Sequence, residues 1–398
     1  MKKRPEIVTK STMLKSLHML LQSLFILIIL SSVSFFINVC ASSVIAFSAD
    51  AKNEAAKGGM EADSLLKWKA SLDKQSQSLL SSWVGSNPCN WVGVTCDNSG
   101  SITILSLANL GLRGTLHSFN FSSFSNLLSL ELSDNSLHGS LPSHICNLSK
   151  LTSLGLSNNR LTGNIPSEIG LLTNLKSLTL SLNLFNGHIP YAFGMLRSLS
   201  DLSLFENNLT SSIPNSITNL GNLSSLCLRG NKLSGFIPSN IGLLISLNYL
   251  DLSSNAFAGK IPTSIGNLSK LSYLDFSKNQ LNGDIPREVS QLRNLSSLWL
   301  FYNQLSGSIP SVLGNMTILA DLALYGNNLS GQVPPELGQL KSLQVLNLFF
   351  NQLNGSLPME INNLTHLMSL RLSGNQFTGR LPENVCLGGV DMESFTKL

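Results

Sequence analysis

Residues 248–262 read NYLDLSSNAFAGKIP. Leu250 and Leu252 flank Asp251, the period-two pattern of a strand with one buried face. Asn255 follows where the chain must leave that strand, and Gly259, Ile261 and Pro262 close the stretch. Aligned on this asparagine, the chain repeats it at Asn135, Asn159, Asn183, Asn207, Asn231, Asn255, Asn279, Asn303, Asn327, Asn351 and Asn375, a period of 24 residues without a slip.

A constant period of this size predicts a solenoid, because each unit has one apolar face that only its neighbours can cover. The unit is L-x-x-L-x-L-x-x-N-x-L-x-G-x-I-P, as in LTSLGLSNNRLTGNIP from Leu151 and LSSLWLFYNQLSGSIP from Leu295. An earlier unit begins at Ile102 and carries Leu110 at the asparagine position, so twelve repeats fill 102–382 and an incomplete thirteenth occupies 383–398. Parallel strands stacked about 4.8 Å apart give twelve units a sheet roughly 58 Å long. The asparagine amides are expected to satisfy backbone groups of adjacent turns, and losing such a partner costs about 1–3 kcal/mol. Glycines such as Gly259 permit the bend, while Pro262 and its equivalents block a helix from extending backwards. Ser211 replaces that glycine in one unit, which is expected to bend differently.

From residue 61 to the end the chain resembles the leucine-rich repeat family, and L-x-G-x-I-P narrows the resemblance to its plant extracellular class. The resemblance implies an α/β solenoid: a right-handed superhelix with a parallel concave β-sheet, a second short strand near each glycine and a helical, disulfide-bearing N-terminal cap. That cap is assigned to 61–100. Leu65, Trp68 and Leu72 share one helical face there, and Leu79, Trp83 and Trp91 add to the apolar supply.

The formal charge of +4 lies entirely in the first eighteen residues, where Lys2, Lys3, Arg4, Lys10 and Lys15 oppose Glu6. No basic patch remains to suggest nucleic-acid binding. The apolar run Met19–Ile37 and the small residues after it read as a signal peptide over 1–48, cleaved after Ala41 or Ser48; the competing reading is a retained membrane anchor. Cys89 and Cys96 bound a short loop that a disulfide can close, with no further ligands nearby for a metal. Cys146 and Cys386 fall ten units apart, roughly 48 Å, and are expected to be lone thiols.

Catalytic constellations are absent. His138 and His144 have a metal-like spacing with Cys146 close by, but the bend at Gly139 and Pro142 separates them. Asp251 and Asp275 occupy the same strand position in adjacent units, within about 5 Å, on an open sheet that cannot exclude water as a glycosidase must. That pair suits a basic group of a ligand instead. Outward strand positions otherwise collect Phe205, Tyr249, Tyr273, Trp299, Phe301, Tyr302, Tyr325, Phe349 and Arg371, the aromatic-and-charge mixture of a binding hot spot. The alternative is that these rings merely pair with one another along the sheet. Sequons at Asn120, Asn147, Asn208, Asn222, Asn267, Asn294, Asn315, Asn328, Asn354 and Asn363 all avoid the outward positions between the leucines.

No cofactor or metal is expected. The resemblance implies the ectodomain of a plant receptor-like kinase, secreted or at the cell surface, that binds a peptide or small-protein ligand on its concave face with a co-receptor ectodomain closing over one end. It also implies a chain cut short before the membrane span and kinase of that family. A free-standing defence protein similar to the plant polygalacturonase inhibitors, binding a pathogen enzyme, is the second reading.

Overall fold

The computed structural model describes residues 51–380 and 382. The expected leader over 1–48, the remnant 383–398 and Cys386 lie outside the described residues. Among the described residues no helix is long and apolar enough to cross a membrane.

One long sheet organises the molecule. Twelve parallel strands, from Ile102–Ser106 to Ser369–Arg371, follow each other in chain order, and a thirteenth, Val94–Cys96, pairs antiparallel with the first of them. Register repeats unit by unit: Tyr249, Leu250 and Asp251 face Tyr273, Leu274 and Asp275. The central leucine of each triplet is buried in the core and its neighbours point to the opposite side of the sheet, so one backbone rule turns the sequence period into columns of side chains. Leu250, Leu252, Ile261, Ile265, Leu268 and their equivalents fill a continuous core, with Phe185, Phe193, Phe257 and Phe276 taking leucine or isoleucine positions.

The asparagines hold successive turns together. Asn279 Nδ2 donates to the carbonyls of Leu252, Phe276 and Ser277 at 3.1 Å each, and its Oδ1 accepts the Phe257 N–H at 2.9 Å. The first leucine unit lacks this amide. Asn135 reaches back to it, with Nδ2 on the Leu107 carbonyl and Oδ1 on the Leu112 N–H.

Proline sets the opposite side. Pro142, Pro166, Pro190, Pro214, Pro262, Pro286, Pro310, Pro334 and Pro358 each cap a short 3₁₀-helix from outside, since their fixed φ suits the N-cap and they carry no N–H to leave unpaired. Between the two sides run the second short strands, in sheets of four, four and three. They stop at the Ser211 unit. Ser211 keeps the left-handed conformation of the glycine it replaces, φ +68°, and still accepts the Ser234 N–H at 2.8 Å, so the unit loses its strand but not its bend.

The cap is built on tryptophan. Helix α1, Ala51–Ser71, buries Leu65 and Trp68, and Trp68 Nε1 donates to the Thr115 carbonyl of the first repeat. Trp83 and Trp91 stack with centroids 5.6 Å apart. Leu79 does not join them. Asp73 caps a second helix, α2 at Lys74–Leu79, through Ser76 N–H, which resets the helical phase and places Leu80 in the core instead. Cys89 and Cys96 are disulfide-bonded, tying the loop to the antiparallel strand that covers the sheet's first edge.

Candidate ligand-binding face

The solvent side of the long sheet carries two columns, the first and third residues of each triplet, extended by the two residues that follow each strand. In the earlier units these positions are small and polar: Ser153, Gly155, Ser157, Ser177, Thr179 and Ser181. Five consecutive strands, Tyr249–Asp251, Tyr273–Asp275, Ser297–Trp299, Asp321–Ala323 and Val345–Asn347, carry an aromatic ribbon instead.

Its rings touch in sequence. Tyr249 and Tyr273 stack at 4.6 Å and 4°, Tyr273 meets Trp299 edge-on at 5.3 Å, and Trp299 leads to Phe301 at 6.2 Å. Phe301, Tyr325 and Phe349 then stack at 4.5 Å and 4.2 Å. Tyr302 and Phe350 stand at the ribbon's margin, 48% and 60% exposed, each edge-on to a ring of its own row. Same-sheet pairing and partial exposure therefore coexist: the stacked rings are half-buried. Phe205 is half-buried and stands apart, separated from Tyr249 by the strand Ser225–Cys227. Arg371 is exposed at the far end, beside Asn347 in the next strand.

The margin depends on a backbone feature that the repeat pattern conceals. The residue before each ladder asparagine is left-handed, including Tyr302 at φ +52° and Phe350 at φ +53°. Gly326 and Gly374 hold the same position one unit on, and a Cβ on either would strike the Tyr302 or Phe350 ring. Each ring lies over the bare backbone of its neighbour.

Asp251 and Asp275 correct the expectation of an open acidic pair. They are 3% and 4% exposed, on paired strand positions beside the stacked Tyr249 and Tyr273. Asp251 Oδ1 accepts the Ser253 N–H and hydroxyl at 2.9 and 2.6 Å, and Asp275 Oδ1 accepts the Ser277 N–H at 2.8 Å. Burial, then the neighbouring Asp251 carboxylate, pushes Asp275 up to about 7; burial also raises Asp251. Burial and the same carboxylates raise the Tyr249 and Tyr273 hydroxyls and the Cys227 thiol, which keeps that thiol protonated. These acids are part of the sheet's floor.

One polar residue of the ribbon, Asp321, escaped the sequence reading. Asp321 is raised to about 6 by burial despite a hydrogen bond from Trp299, and its Oδ1 is buried without a hydrogen-bond partner. The buried Oδ1 of Asn347 is in the same condition. The available signal was a carboxylate at a strand position where the two following units carry Val345 and Ser369.

Nine of the ten sequon asparagines are exposed and Asn208 is half-buried; none is in the two columns. Among the described residues no group of three or more His, Cys, Asp or Glu side chains could hold a metal ion. His138 is exposed on a second-layer strand, and His144 packs edge-on to Phe121 at 5.3 Å.

A parallel ladder with one asparagine per turn and a tryptophan-rich cap defines a leucine-rich repeat protein, and the chain belongs to that family. The leucine-rich repeat region family matches residues 225–356, the leucine rich repeat N-terminal domain family 59–97, and the single leucine rich repeat 126–148, 150–172 and 366–387. A probable leucine-rich repeat receptor-like protein kinase of Arabidopsis thaliana is 43% identical over 94 residues, 22% of this chain and 8% of that protein. Among solved structures, PEPR1 with AtPEP1 superposes with TM-score 0.75 at 32% identity, covering 82% of this chain and 50% of that one. The Arabidopsis receptor kinase HAESA, solved with the peptide hormone IDA and the co-receptor SERK1, gives 0.58 at 29%, covering 82% and 67%. The chain thus spans half the length of the first of these structures, and the likeness is to plant receptor-kinase ectodomains.

Proposed function

We propose that the chain is an extracellular recognition module that binds a peptide or small protein along the aromatic ribbon, in cell-surface signalling or immunity. The observation that carries this is the ribbon itself: rings held rigidly on five adjacent strands, partly exposed, on a face free of sequons. Peptide complexes among the structural relatives support it. A co-receptor ectodomain closing over one end of the bound ligand follows from the HAESA assembly by analogy. Selection of displayed random peptides against the secreted chain tests the reading. Peptides selected on the parent should lose binding to Trp299→Ala and to Tyr325→Ala while both variants are secreted normally. Undiminished binding by both would place the site elsewhere.

A further inference from the structure

Ala323 interrupts a column of larger side chains. On its strand neighbours the same position holds Trp299 on one side and Asn347 on the other. Asp321 lies two residues before Ala323 on the same face, opposite Val345, so Asp321 and Asn347 are diagonal neighbours within about 8 Å on one sheet surface. Both present a buried Oδ1 that accepts no hydrogen bond. Native proteins leave few such atoms, and here two of them belong to residues whose strand positions adjoin the same small residue.

The contrast with Asp251 and Asp275 is informative. Those carboxylates are supplied with donors by Ser253 and Ser277 from their own units. Two residues beyond Asn347 stands Phe349, and two beyond Asp321 stands Ala323, so neither acceptor has the short hydroxyl side chain that follows Asp251 and Asp275. No ion pair engages Asp321: the ion pairs among the described residues are Lys67 with Asp63 and Arg229 with Glu206, and Arg371, which adjoins Asn347, is exposed. Trp299 hydrogen-bonds Asp321, and Tyr325 is stacked between Phe301 and Phe349.

We propose that Asp321 and Asn347, on either side of Ala323, form an acceptor subsite for an arginine guanidinium of the bound peptide, a proposal that rests on the concave-face reading above. A guanidinium brings several N–H donors in one plane, enough for both acceptors, and its charge matches the Asp321 carboxylate.

The test titrates the full secreted chain with Nα-acetyl-arginine amide and with its neutral isostere, Nα-acetyl-citrulline amide, read by saturation-transfer NMR. The arginine probe should bind about tenfold more tightly than the citrulline probe, as a charge-assisted hydrogen bond requires. Asp321→Asn should erase that difference without shifting the melt downward, and Asn347→Ala should reduce it. Equal affinity of the two probes for the parent chain, no saturation by either, or an unchanged preference in Asp321→Asn overturns the subsite. Trp299→Ala separates the two readings: if it weakens both probes while Asp321→Asn changes nothing, the face binds but the subsite is wrong. Indifference of both probes to both variants removes both.

Discussion

Replacing Asn279 by alanine or by aspartate asks how much one rung of the ladder stabilises the array. Three of its four partners have alternatives: the Leu252 carbonyl keeps the Asn255 amide, the Phe276 carbonyl keeps Asn303, and the Ser277 carbonyl keeps the Ser254 N–H. The Phe257 N–H has only Asn279 Oδ1. Alanine therefore orphans one buried donor, and the expected loss is about 2 kcal/mol, within the range for a single unsatisfied buried group. Aspartate restores that acceptor but turns a second oxygen toward three carbonyls and buries a charge without a counter-ion. Its expected loss is about 3–5 kcal/mol, the scale of an uncompensated buried charge. Urea unfolding followed by circular dichroism at neutral pH gives both values. Because each unit touches only its neighbours, amide exchange should accelerate around residues 250–305 first. An aspartate variant as stable as the alanine variant would refute the account, since it would mean that a carboxylate facing three carbonyls without a counter-ion costs nothing there.

Other consequences are equally open to measurement. Asp275 is raised from 3.8 to about 7, so the folded state binds the extra proton and stability must fall as pH rises across that window. The melting temperature should drop between about pH 4 and about pH 7, and Asp275→Asn should flatten the drop. Gly326→Ala forces a side chain into φ +66° and against the Tyr302 ring, for an expected cost of about 1–2 kcal/mol from the backbone alone. A denaturation midpoint indistinguishable from the parent, with an unchanged near-ultraviolet tyrosine signal, would show that the ring is not seated there.

The coil was legible because one residue type, asparagine at a fixed period, reports both strand end and turn. The ribbon was legible too, since alternation assigns Tyr249, Trp299 and Tyr325 to the solvent side whatever surrounds them. Burial within that side was not. Asp251 reads as an outward residue and is outward in direction, yet the rings beside it and the Ser253 hydroxyl close over it. Part of that cover, the Tyr273 ring, comes from the next unit, which a single unit does not display. The left-handed residue before each asparagine was hidden for another reason: Leu182, Glu206, Lys278, Tyr302 and Phe350 share no chemistry, only a backbone state imposed by the ladder. Leu79 misled because helical phase was carried through Asp73, where a new helix begins.

The ribbon also acts as a ruler with two scales. Its rows are spaced by the strand separation, about 4.8 Å, whereas an extended chain laid across them advances about 3.4 Å per residue. The two spacings coincide after about 24 Å, five rows against seven residues. Between coincidences, successive side chains of such a chain arrive at the rings out of step, so that sliding it by one residue changes every contact at once. A flat, evenly spaced row of rings can thus discriminate register as well as composition.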